Sequence, residues 1–406
     1  MRTLLITGPG GNGRTTVAAA TALAAARGGT RVLVLGTDRV DTLGAVLGTP
    51  VGAEPVEVEQ GLTARRVDAD ADFRADLAAL QDRAATALDL LGASRLDPEE
   101  LGPLPGAEEL SVLRALRDAA LSQAYDLLVV DLPPTPQSLA LLALPEELRR
   151  CLRRLLPPER QAARALRPVL GRLAGVPMPA EWLYETAARW DTELAAVEAV
   201  LADRDTAVRL VAEPGPAGAD AVRAAGLGLA LRGLRTDVLV AGRLLPEDVE
   251  DGRLVALVAQ QRKTLDEWRG TYDVHPVAHL GRDPRGPDDL AALAVPGVPA
   301  VEGTQAWVEW PVTGLPHSWL SSSGEPPAPA ADDGVLVWHI PLPGARREEL
   351  DLIRRGDELT VTAGPFRRTV PLPSALRRCT VDGAALREGE LRIRFRPDPR
   401  LWPRTP

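Results

Sequence analysis

The stretch TLLITGPGGNGRTT (residues 3–16) places an apolar run, a glycine-rich loop and the start of a helix in direct succession. The apolar run has the length of a buried strand, and the alanine-rich segment 15–26 has strong helix propensity. A glycine-rich loop between a strand and a helix turns its backbone N–H groups and the positive end of the helix toward an anion. The stretch therefore predicts a phosphate-binding loop at the start of an α/β fold.

The loop fits two nucleotide-binding patterns. As G-x-G-x-x-G (Gly8, Gly10, Gly13) it matches a dinucleotide turn, for which Asp38 would be the acid that binds the ribose. As G-x-x-x-x-G-[K/R]-[S/T] it matches a P-loop in which Arg14 occupies the lysine position. A glycine-rich turn that binds nothing is the third interpretation.

The surroundings of the loop favour the P-loop pattern. Two threonines follow the arginine, and Asp131 ends a distant apolar run, as the acid of a Walker B motif does. Thr15 and Asp131 are then candidate ligands of Mg²⁺. The candidate phosphate-binding residues are Gly10, Gly11, Asn12, Gly13, Arg14, Thr15 and Thr16.

Further short apolar runs along the chain favour a parallel sheet. RVLVLG (31–36) and YDLLVVD (125–131) suit strands that are buried on both faces. AVRLVAEP (207–214) and TDVLVAGRLLP (236–246) suit two more strands, with a crossover helix between them. Strands that alternate with helices predict a P-loop parallel sheet flanked by helices.

Two other regions have different patterns. Residues 140–205 are rich in Leu and Arg and predict a helical insertion, broken at Pro157–Pro158 and at Gly175–Pro177. The Ser/Pro/Ala-rich segment 321–334 is typical of a linker. The chain is therefore expected to divide into a P-loop domain at 1–300, a linker at 301–334 and a small β domain at 335–406.

Beyond the linker, apolar residues recur at every second position. In ELRIRF, Leu391, Ile393 and Phe395 alternate with polar residues, which is typical of a strand with one buried face. Turn-forming pairs at Gly364–Pro365 and Asp382–Gly383 mark the ends of neighbouring strands. This pattern predicts a small β-sandwich.

The overall composition sets limits on function. The chain of 406 residues has a formal net charge of −9, which gives no reason to expect nucleic-acid binding. No apolar run reaches the roughly 18 residues that a membrane span needs, and MRTLLIT leads directly into a strand. Cys151 and Cys379 lie outside any metal-binding motif, and we expect both to be buried. These features predict a cytoplasmic protein that is not an integral membrane protein.

Four motifs carry a resemblance to a known family. PGGNGRTT, VLVLGTDRVDTLGAVLG, DLLVVDLPPTPQSLALLALPEE and VAGRLLPED follow one another as in the ArsA-type ATPases, which include bacterial anion pumps and eukaryotic ATPases that target tail-anchored membrane proteins. The segment GVLVWHIPLPGARREELDLIRRGDELTVTAG is similar to the α-crystallin-like (small heat-shock protein) domain of some bacterial members. The resemblance implies ATP and Mg²⁺ as cofactors, a possible homodimer, and an unknown client protein or hydrophobic segment bound by region 140–205.

The resemblance also assigns roles to site residues. Asp38 would orient the attacking water, and Arg14 would contact the β- and γ-phosphates, which makes these two the candidate catalytic residues. Thr15 and Asp131 would hold Mg²⁺. These roles are what the resemblance implies for the positions of this sequence that match the family's motifs.

The sequence departs from those motifs at several positions. Pro9 and Arg14 stand where the family has lysines, and proline carries no charge for a phosphate. Pro136 lies in the segment after Asp131, which matches the family's second switch motif. It restricts the backbone at a position where that motif has a flexible glycine. Asp41 replaces a histidine, and Gly242 replaces the asparagine that reads adenine. The departures leave open an ATPase with weakened activity, a catalytically inactive scaffold that binds protein partners and, as a minor alternative, an NAD(P)-type dinucleotide-binding protein.

Other features favour simpler interpretations. Arg149–Arg172 holds eight arginines and one glutamate, which suits either a surface for a client or membrane, or a solvated helix face. His275 and His279 are four residues apart but lack a nearby third ligand, so we expect no metal site there. Docking of the two domains is favoured over ligand binding for the aromatic residues near the linker, which are Trp307, Trp310 and Trp319.

Overall fold

The structure, a computed structural model, describes residues 1–83, 85, 96–97, 99–156, 180–298, 310–314 and 335–401. The chain forms two compact units. The first comprises Met1–Pro214 and Asp237–Val301, and the second comprises Gly215–Thr236 and Glu302–Pro406. The second unit therefore combines the C-terminal region with a short segment from the middle of the chain.

The first unit is built on an eight-stranded sheet. Its strands are β1 (Arg2–Thr7), β2 (Val32–Gly36), β3 (Val56–Glu59), β4 (Leu62–Arg66), β5 (Leu127–Asp131), β6 (Thr206–Ala212), β7 (Thr236–Leu244) and β8 (Val274–Ala278). They lie in the order β3-β4-β2-β5-β1-β6-β7-β8. β3 pairs antiparallel with β4, whereas β1 pairs in parallel with β5 and β6, and β2 in parallel with β4 and β5. The predicted sheet, mostly parallel and flanked by helices, is confirmed.

Helices precede and follow these strands. They are α1 (Arg14–Arg27), α2 (Thr42–Leu47), α3 (Ala69–Arg83), α4 (Ala107–Leu121), α5 (Thr135–Leu155), α6 (Ala180–Leu201), α7 (Pro216–Arg232), α8 (Gly252–Arg269) and α9 (Gly286–Ala292). α1 is buried over most of its length and shares an apolar core with β1 and β2. Its small alanine side chains allow this close approach to the strands.

The strands at the centre of the sheet are apolar from end to end. All five residues of β2 and of β5 are buried, as are the last five of β1. Burial on both faces explains why these strands are continuous apolar runs. The carboxyl ends of parallel strands meet at one edge, so Gly8, Thr37 and Leu132 emerge together from β1, β2 and β5.

The described part of region 140–205 consists mainly of α5 and α6. The breaks predicted at Pro157–Pro158 and Gly175–Pro177, and the part of the arginine run beyond α5, lie outside the described residues. Arg149 on α5 forms an ion pair with Asp191 at 3.0 Å and a second one with Glu198, both on α6. This arginine therefore joins the two helices.

The C-terminal region forms two antiparallel sheets. Their strands are β9 (Val312–Thr313), β10 (Leu336–Pro341), β11 (Leu350–Arg355), β12 (Glu358–Ala363), β13 (Phe366–Pro371), β14 (Cys379–Arg387) and β15 (Glu390–Pro397). One sheet has the order β14-β15-β10-β9 and the other β11-β12-β13. Leu391, Ile393 and Phe395 of β15 are buried, which confirms the predicted alternation. The predicted linker at 301–334 lies outside the described residues except for 310–314.

One predicted turn is wrong. Asp382–Gly383 lies inside β14, where the register against β15 shifts between Val381 and Gly383. A β-bulge inserts an extra residue into a strand, and glycine favours such sites as well as turns. The chain reverses instead at Glu388 and Gly389, whose φ angles of 52° and 74° suit a tight hairpin.

Helix α7 completes the core of the second unit. Leu227 and Leu231 belong to the same buried apolar cluster as Trp338 and Phe395 of the C-terminal sheets. Arg368 on β13 donates from Nη1 to the carbonyl oxygen of Leu231 at 3.0 Å. The C-terminal sheets therefore share their core with a helix that is distant in sequence, since α7 ends at Arg232 and β10 begins at Leu336.

Leu231→Ala is expected to lower the free energy of unfolding of the full chain by about 3 kcal/mol, because a buried leucine leaves a cavity when it is truncated. Urea unfolding followed by tryptophan fluorescence measures this change. Leu231→Met keeps most of the volume and is expected to lower stability by less than about 1.5 kcal/mol. Equal losses in the two variants would contradict the packing of α7 against the C-terminal sheets.

The aromatic residue of the linker that the structure describes packs within the second unit. Trp310 lies edge-on to Trp338 with ring centroids 5.6 Å apart, and the Arg368 guanidinium lies 5.4 Å from the Trp310 ring centroid. Trp307 and Trp319 lie outside the described residues. Trp310 therefore packs against the apolar core of the second unit.

The cysteines and histidines occupy different environments. Cys379 is buried as expected, but the expectation is wrong for Cys151, which is exposed on α5. Cys151 lies among arginines near the end of α5, beyond the buried stripe of this helix. His275 lies in strand β8, where its Nε2 is 3.1 Å from the carbonyl oxygen of Ala294, and His279 follows the strand. The two histidines therefore do not share a helix face.

Candidate functional site

The glycine loop (Gly8–Gly13) connects β1 to α1. Gly11 and Gly13 have φ angles of 77° and 84°, in the left-handed region where other residues are strained. A Cβ atom built on Gly8 would lie 1.9 Å from the carbonyl oxygen of Val211 on β6. The path of the backbone therefore requires glycine at these three positions.

Asn12 ties the glycine loop to β6. Its Nδ2 donates to the carbonyl oxygen of Gly10 at 2.9 Å, and its Oδ1 accepts from the backbone N–H of Glu213 at 2.8 Å. No side chain caps the start of α1. The first N–H groups of a helix have no partner within the helix, and they attract an anion. The loop is therefore fixed in place with the positive end of α1 beside it.

The Arg14 guanidinium points toward the end of β5. Its Nη1 donates to the carbonyl oxygen of Leu132, the residue that follows this strand. Arg14 is the only cationic side chain between residues 8 and 16. This hydrogen bond therefore holds the positive charge of the segment at the carboxyl end of β5.

Asp131 ends β5 and is only 3% exposed. Burial raises the pKa of its carboxyl to about 7, although the Thr15 hydroxyl and the Arg14 charge act to lower this pKa; the Asp38 charge raises it. Asp131 Oδ1 has no hydrogen-bond partner among the described residues. A carboxylate oxygen and a threonine hydroxyl are hard oxygen ligands, so this pair fits Mg²⁺.

Two aspartates in the loop after β2 have different partners. Asp38 Oδ2 accepts from the Thr42 hydroxyl at 2.9 Å. Asp41 caps α2, since its carboxylate accepts from the backbone N–H groups of Gly44 at 2.7 Å and Val51 at 2.8 Å. Asp41 therefore shapes the loop, whereas Asp38 lies near enough to Asp131 to affect its pKa.

The segment after β5 is held from several sides. The hydroxyls of Thr7 and Ser138 donate to the carbonyl oxygen of Pro133 at 2.9 and 2.6 Å. The backbone N–H of Thr135 donates to the carbonyl oxygen of Gly8 at 3.0 Å. These bonds join the segment to β1 and to the glycine loop, next to Asp131.

A cavity of about 330 Å³ opens beside the glycine loop. Gly13 and Thr16 line it at the start of α1, and Gly242 and Arg243 line it at the end of β7. The segment 277–285 supplies most of the remaining wall. This volume lies at the lower end of the range of ligand pockets in proteins.

The structure brings most of the predicted site residues together. Thr15, Arg14 and Asp38 all act on Asp131, and Thr16 lines the cavity that Gly242 also lines. The sequence pattern does not predict the contribution of 277–285 to the cavity. Its only sequence signal is a cluster of arginines and Asp/Pro/Gly residues after β8, which also suits an ordinary loop.

A buried arginine lies in the same unit as the site and is not predicted by the sequence. Arg209 on β6 is fully buried and pairs with Asp237 on β7 at 2.7 Å. It also donates to the Thr21 hydroxyl of α1 at 2.9 Å and to the carbonyl oxygens of Pro296 and Gly297 at 2.6 and 3.2 Å. Arg209 therefore fastens α1, two strands and the segment after α9 together.

Comparison with known proteins agrees with these features. Residues 1–284 match the family model described as anion-transporting ATPase, and residues 333–395 match the model described as the HSP20-like domain found in ArsA. Within the described residues, none of the helices combines the length and apolarity that crossing a bilayer requires. The matched ranges contain both the glycine loop and the C-terminal sheets.

Three relatives match nearly the whole chain. A protein of Streptomyces coelicolor is 74% identical over 405 residues, covering 100% of both chains. A protein of Mycobacterium tuberculosis is 34% identical over 440 residues, covering 99% of this chain and 97% of its own. An Aquifex aeolicus protein named as an arsenical pump-driving ATPase is 24% identical over 406 residues, covering 97% and 99%. The chain belongs to the anion-transporting, ArsA-type ATPase family and carries the HSP20-like domain found in ArsA.

Proposed function

We propose that this chain binds Mg-ATP at the glycine loop and hydrolyses it slowly. The observation that carries the proposal is the buried Asp131 carboxylate, whose Oδ1 lacks a partner and which the Thr15 hydroxyl approaches. A buried polar atom without a hydrogen bond is rare in folded proteins, and a bound ion is one arrangement that would satisfy this carboxylate oxygen. The Mg²⁺ that accompanies the triphosphate of ATP would be coordinated by this carboxylate.

Each predicted site residue has a role in the proposed complex. The backbone N–H groups of residues 10–16 would donate to phosphate oxygens, and Arg14 would contact the β- and γ-phosphates. Thr15 and Asp131 would hold Mg²⁺, which neutralises charge on the phosphates. Asp38 would accept a hydrogen bond from the attacking water. The water oxygen bonds to the γ-phosphorus while the bond to the bridging oxygen breaks, which yields ADP and phosphate.

Two features support slow turnover. Pro9 carries no charge at a position next to the phosphates, where a cation contributes strongly to phosphoryl transfer. The segment after Asp131 is held by Thr7, Ser138 and Gly8, so it cannot readily move with the γ-phosphate. We therefore place this protein at the slow end of its family.

From its membership of the family, we further propose that the protein is a cytoplasmic homodimer and that it holds a client protein or hydrophobic segment through region 140–205.

A second candidate is a catalytically inactive scaffold. The observation that favours it is the hydrogen bond of Arg14 to the Leu132 carbonyl oxygen, which engages the only cationic side chain of residues 8–16 within the protein. In this case the sheet supports the helices of region 140–205 and the HSP20-like domain, and these bind protein partners. The dinucleotide interpretation is less well supported, because the family model that matches residues 1–284 is one of ATPases.

The proposal is tested by a thermal-shift titration of the full chain with Mg-ATP, Mg-ADP and NAD(P)H, together with a phosphate-release assay. A ligand at 100 times its Kd adds about 2.7 kcal/mol to the free energy of unfolding. We expect a shift with Mg-ATP and slow phosphate release. A shift without phosphate release would support the scaffold, and no shift with ATP or ADP would contradict the nucleotide site.

Asp131→Asn is the matched control for this titration. It keeps the shape of the side chain and removes its charge, so the part of the ATP shift that requires Mg²⁺ is expected to disappear. The melting temperature of the protein without ligand is expected to rise at pH 8, since an amide is less costly to bury than an ionised carboxylate. An unchanged Mg²⁺ requirement would contradict the role of Asp131.

A further inference from the structure

We propose that the cavity beside the glycine loop accepts the base of a nucleoside triphosphate without reading its identity, so that ATP, GTP, CTP and UTP bind with similar affinity. This inference rests on the proposed function, because it takes the triphosphate to lie on the glycine loop. The substrate class would then be nucleoside triphosphates in general, which the protein recognises through their phosphates.

The position of the cavity supports its use for the base and sugar. Gly13 and Thr16 belong both to its wall and to the start of α1, so a ligand with phosphates on the loop would extend into this space. Apolar side chains form part of the wall on the helix side, and they are Val17, Ala45 and Val46. Such walls pack against the flat faces of any base.

The amide group nearest the cavity is already used. Adenine is best read by an amide side chain, which offers a donor and an acceptor side by side. Among the described residues that line the cavity, Asn12 has the only amide side chain, and its two polar atoms bond to Gly10 and to Glu213. Gly242 faces the same space without a side chain. The described part of the wall therefore offers no side-chain amide that is available to a base.

The charged residues of the wall are tied to neighbours or exposed. Arg282 pairs with Asp289, and Arg243 lies 3.8 Å from Glu213. A guanidinium plane stacks on purines and pyrimidines alike. Asp283 is an exposed carboxylate, for which water remains a competing partner. His279 also lines the cavity; its Nδ1 accepts from the backbone N–H of Gly281 at 2.8 Å, and its side chain is exposed. These groups favour general binding of a base over selection of one.

The expected selectivity follows from this chemistry. A pocket that must hydrogen-bond its ligand rejects an analogue without the group by about 10⁴-fold, whereas a pocket that acts by shape alone discriminates by about 10- to 200-fold. Without an available side-chain amide, discrimination between the bases is expected to be of the second kind. We expect the four Kd values to lie within about tenfold of one another.

The experiment measures the binding of Mg-ATP, Mg-GTP, Mg-CTP and Mg-UTP to the full chain by calorimetry, with inorganic triphosphate as the probe for the phosphate site alone. Similar Kd values for the four nucleotides support the inference. A preference of more than about 100-fold for ATP overturns the inference and leaves the proposed function intact. A comparable preference for GTP has the same consequence and would indicate that Asp283 contacts the base. Failure of every nucleotide and of triphosphate overturns the proposed function as well.

A variant tests the same inference as a gain of selectivity. A Cβ atom built on Gly242 meets only the carbonyl oxygen of Asn12, at the ordinary contact distance of 3.8 Å, so the backbone leaves room for a Cβ atom there. Gly242→Asn adds an amide to the wall and is expected to raise the affinity for ATP relative to CTP at least tenfold. Gly242→Ala adds a side chain without an amide, and its ATP/CTP ratio is expected to stay near one. An unchanged ratio in a folded Gly242→Asn protein would place the base elsewhere.

Discussion

Arg209→Met is expected to lower the free energy of unfolding by about 3–5 kcal/mol. The variant leaves the Asp237 carboxylate, which is 10% exposed, without its counter-ion. It also leaves the carbonyl oxygens of Pro296 and Gly297 without the donors that Arg209 supplies. A buried charge without a partner is desolvated with little compensation, so the loss exceeds that for an exposed ion pair. Urea unfolding followed by far-ultraviolet circular dichroism measures it.

The double variant Arg209→Met, Asp237→Asn is the matched control. It removes both charges, so no unpaired carboxylate remains in the sheet, and it is expected to be more stable than Arg209→Met alone. The interaction between the two substitutions should be about 0.5–3 kcal/mol, as for residues in direct contact. Simple addition of the two single losses would show that packing, and not the charge pair, accounts for the effect.

Arg209 joins parts of the fold that are distant from one another in sequence. Its partners come from α1, β7 and the segment after α9, which are far apart in sequence. α1 starts at the glycine loop and β7 ends at the cavity. The same guanidinium therefore stabilises two of the elements that form the candidate site, although it does not line the cavity.

The buried strands could be predicted from sequence because burial on both faces leaves a continuous apolar run. β2 and β5 are such strands, and both were recognisable. The edge strand β3 has the sequence VEVE, whose alternation suits a strand but extends over only four residues, too few to distinguish it from a loop. β8 contains Pro276, which normally argues against a strand but is tolerated at the edge of a sheet.

The positions of the candidate site residues could be predicted, but their hydrogen bonds could not. The glycine pattern locates the loop, because only glycine tolerates the backbone at Gly11 and Gly13. The bond from Arg14 to Leu132 joins residues more than a hundred positions apart and depends on the fold. Asp41 caps helix α2, which begins at the next residue. The resemblance marks this position only as one where the family has a histidine, so it does not predict the capping role.

The place of α7 could not be predicted for a similar reason. Its sequence suits a crossover helix between β6 and β7, and it does connect these strands. Nothing in its composition indicates that Leu227 and Leu231 belong to the core of the C-terminal sheets. A helix that is apolar on several faces can serve more than one core, and the sequence pattern alone does not distinguish them.

The largest change in activity is expected when both lysines of the family motif are restored. Pro9→Lys together with Arg14→Lys is expected to raise the rate of ATP hydrolysis by about 10³-fold, within the range that a single added cation gives in phosphoryl transfer. Lysine at position 9 supplies a charge that proline lacks. Lysine at position 14 replaces a planar guanidinium, now bonded to Leu132, by a compact ammonium. Single-turnover phosphate release measures the rate.

Two controls separate charge from backbone freedom. Pro9→Ala removes the ring without adding a cation, and its rate is expected to stay near that of the unmodified chain. Asp131→Asn in the double-lysine background is expected to return the rate to the original level, because the proposed Mg²⁺ ligand is lost.

If the double-lysine variant binds Mg-ATP but its rate of hydrolysis does not increase, the restraint of the segment after β5 limits hydrolysis. In that case Thr7 and Ser138, which hold Pro133, become the residues to change, since releasing that segment would then matter more than restoring charge.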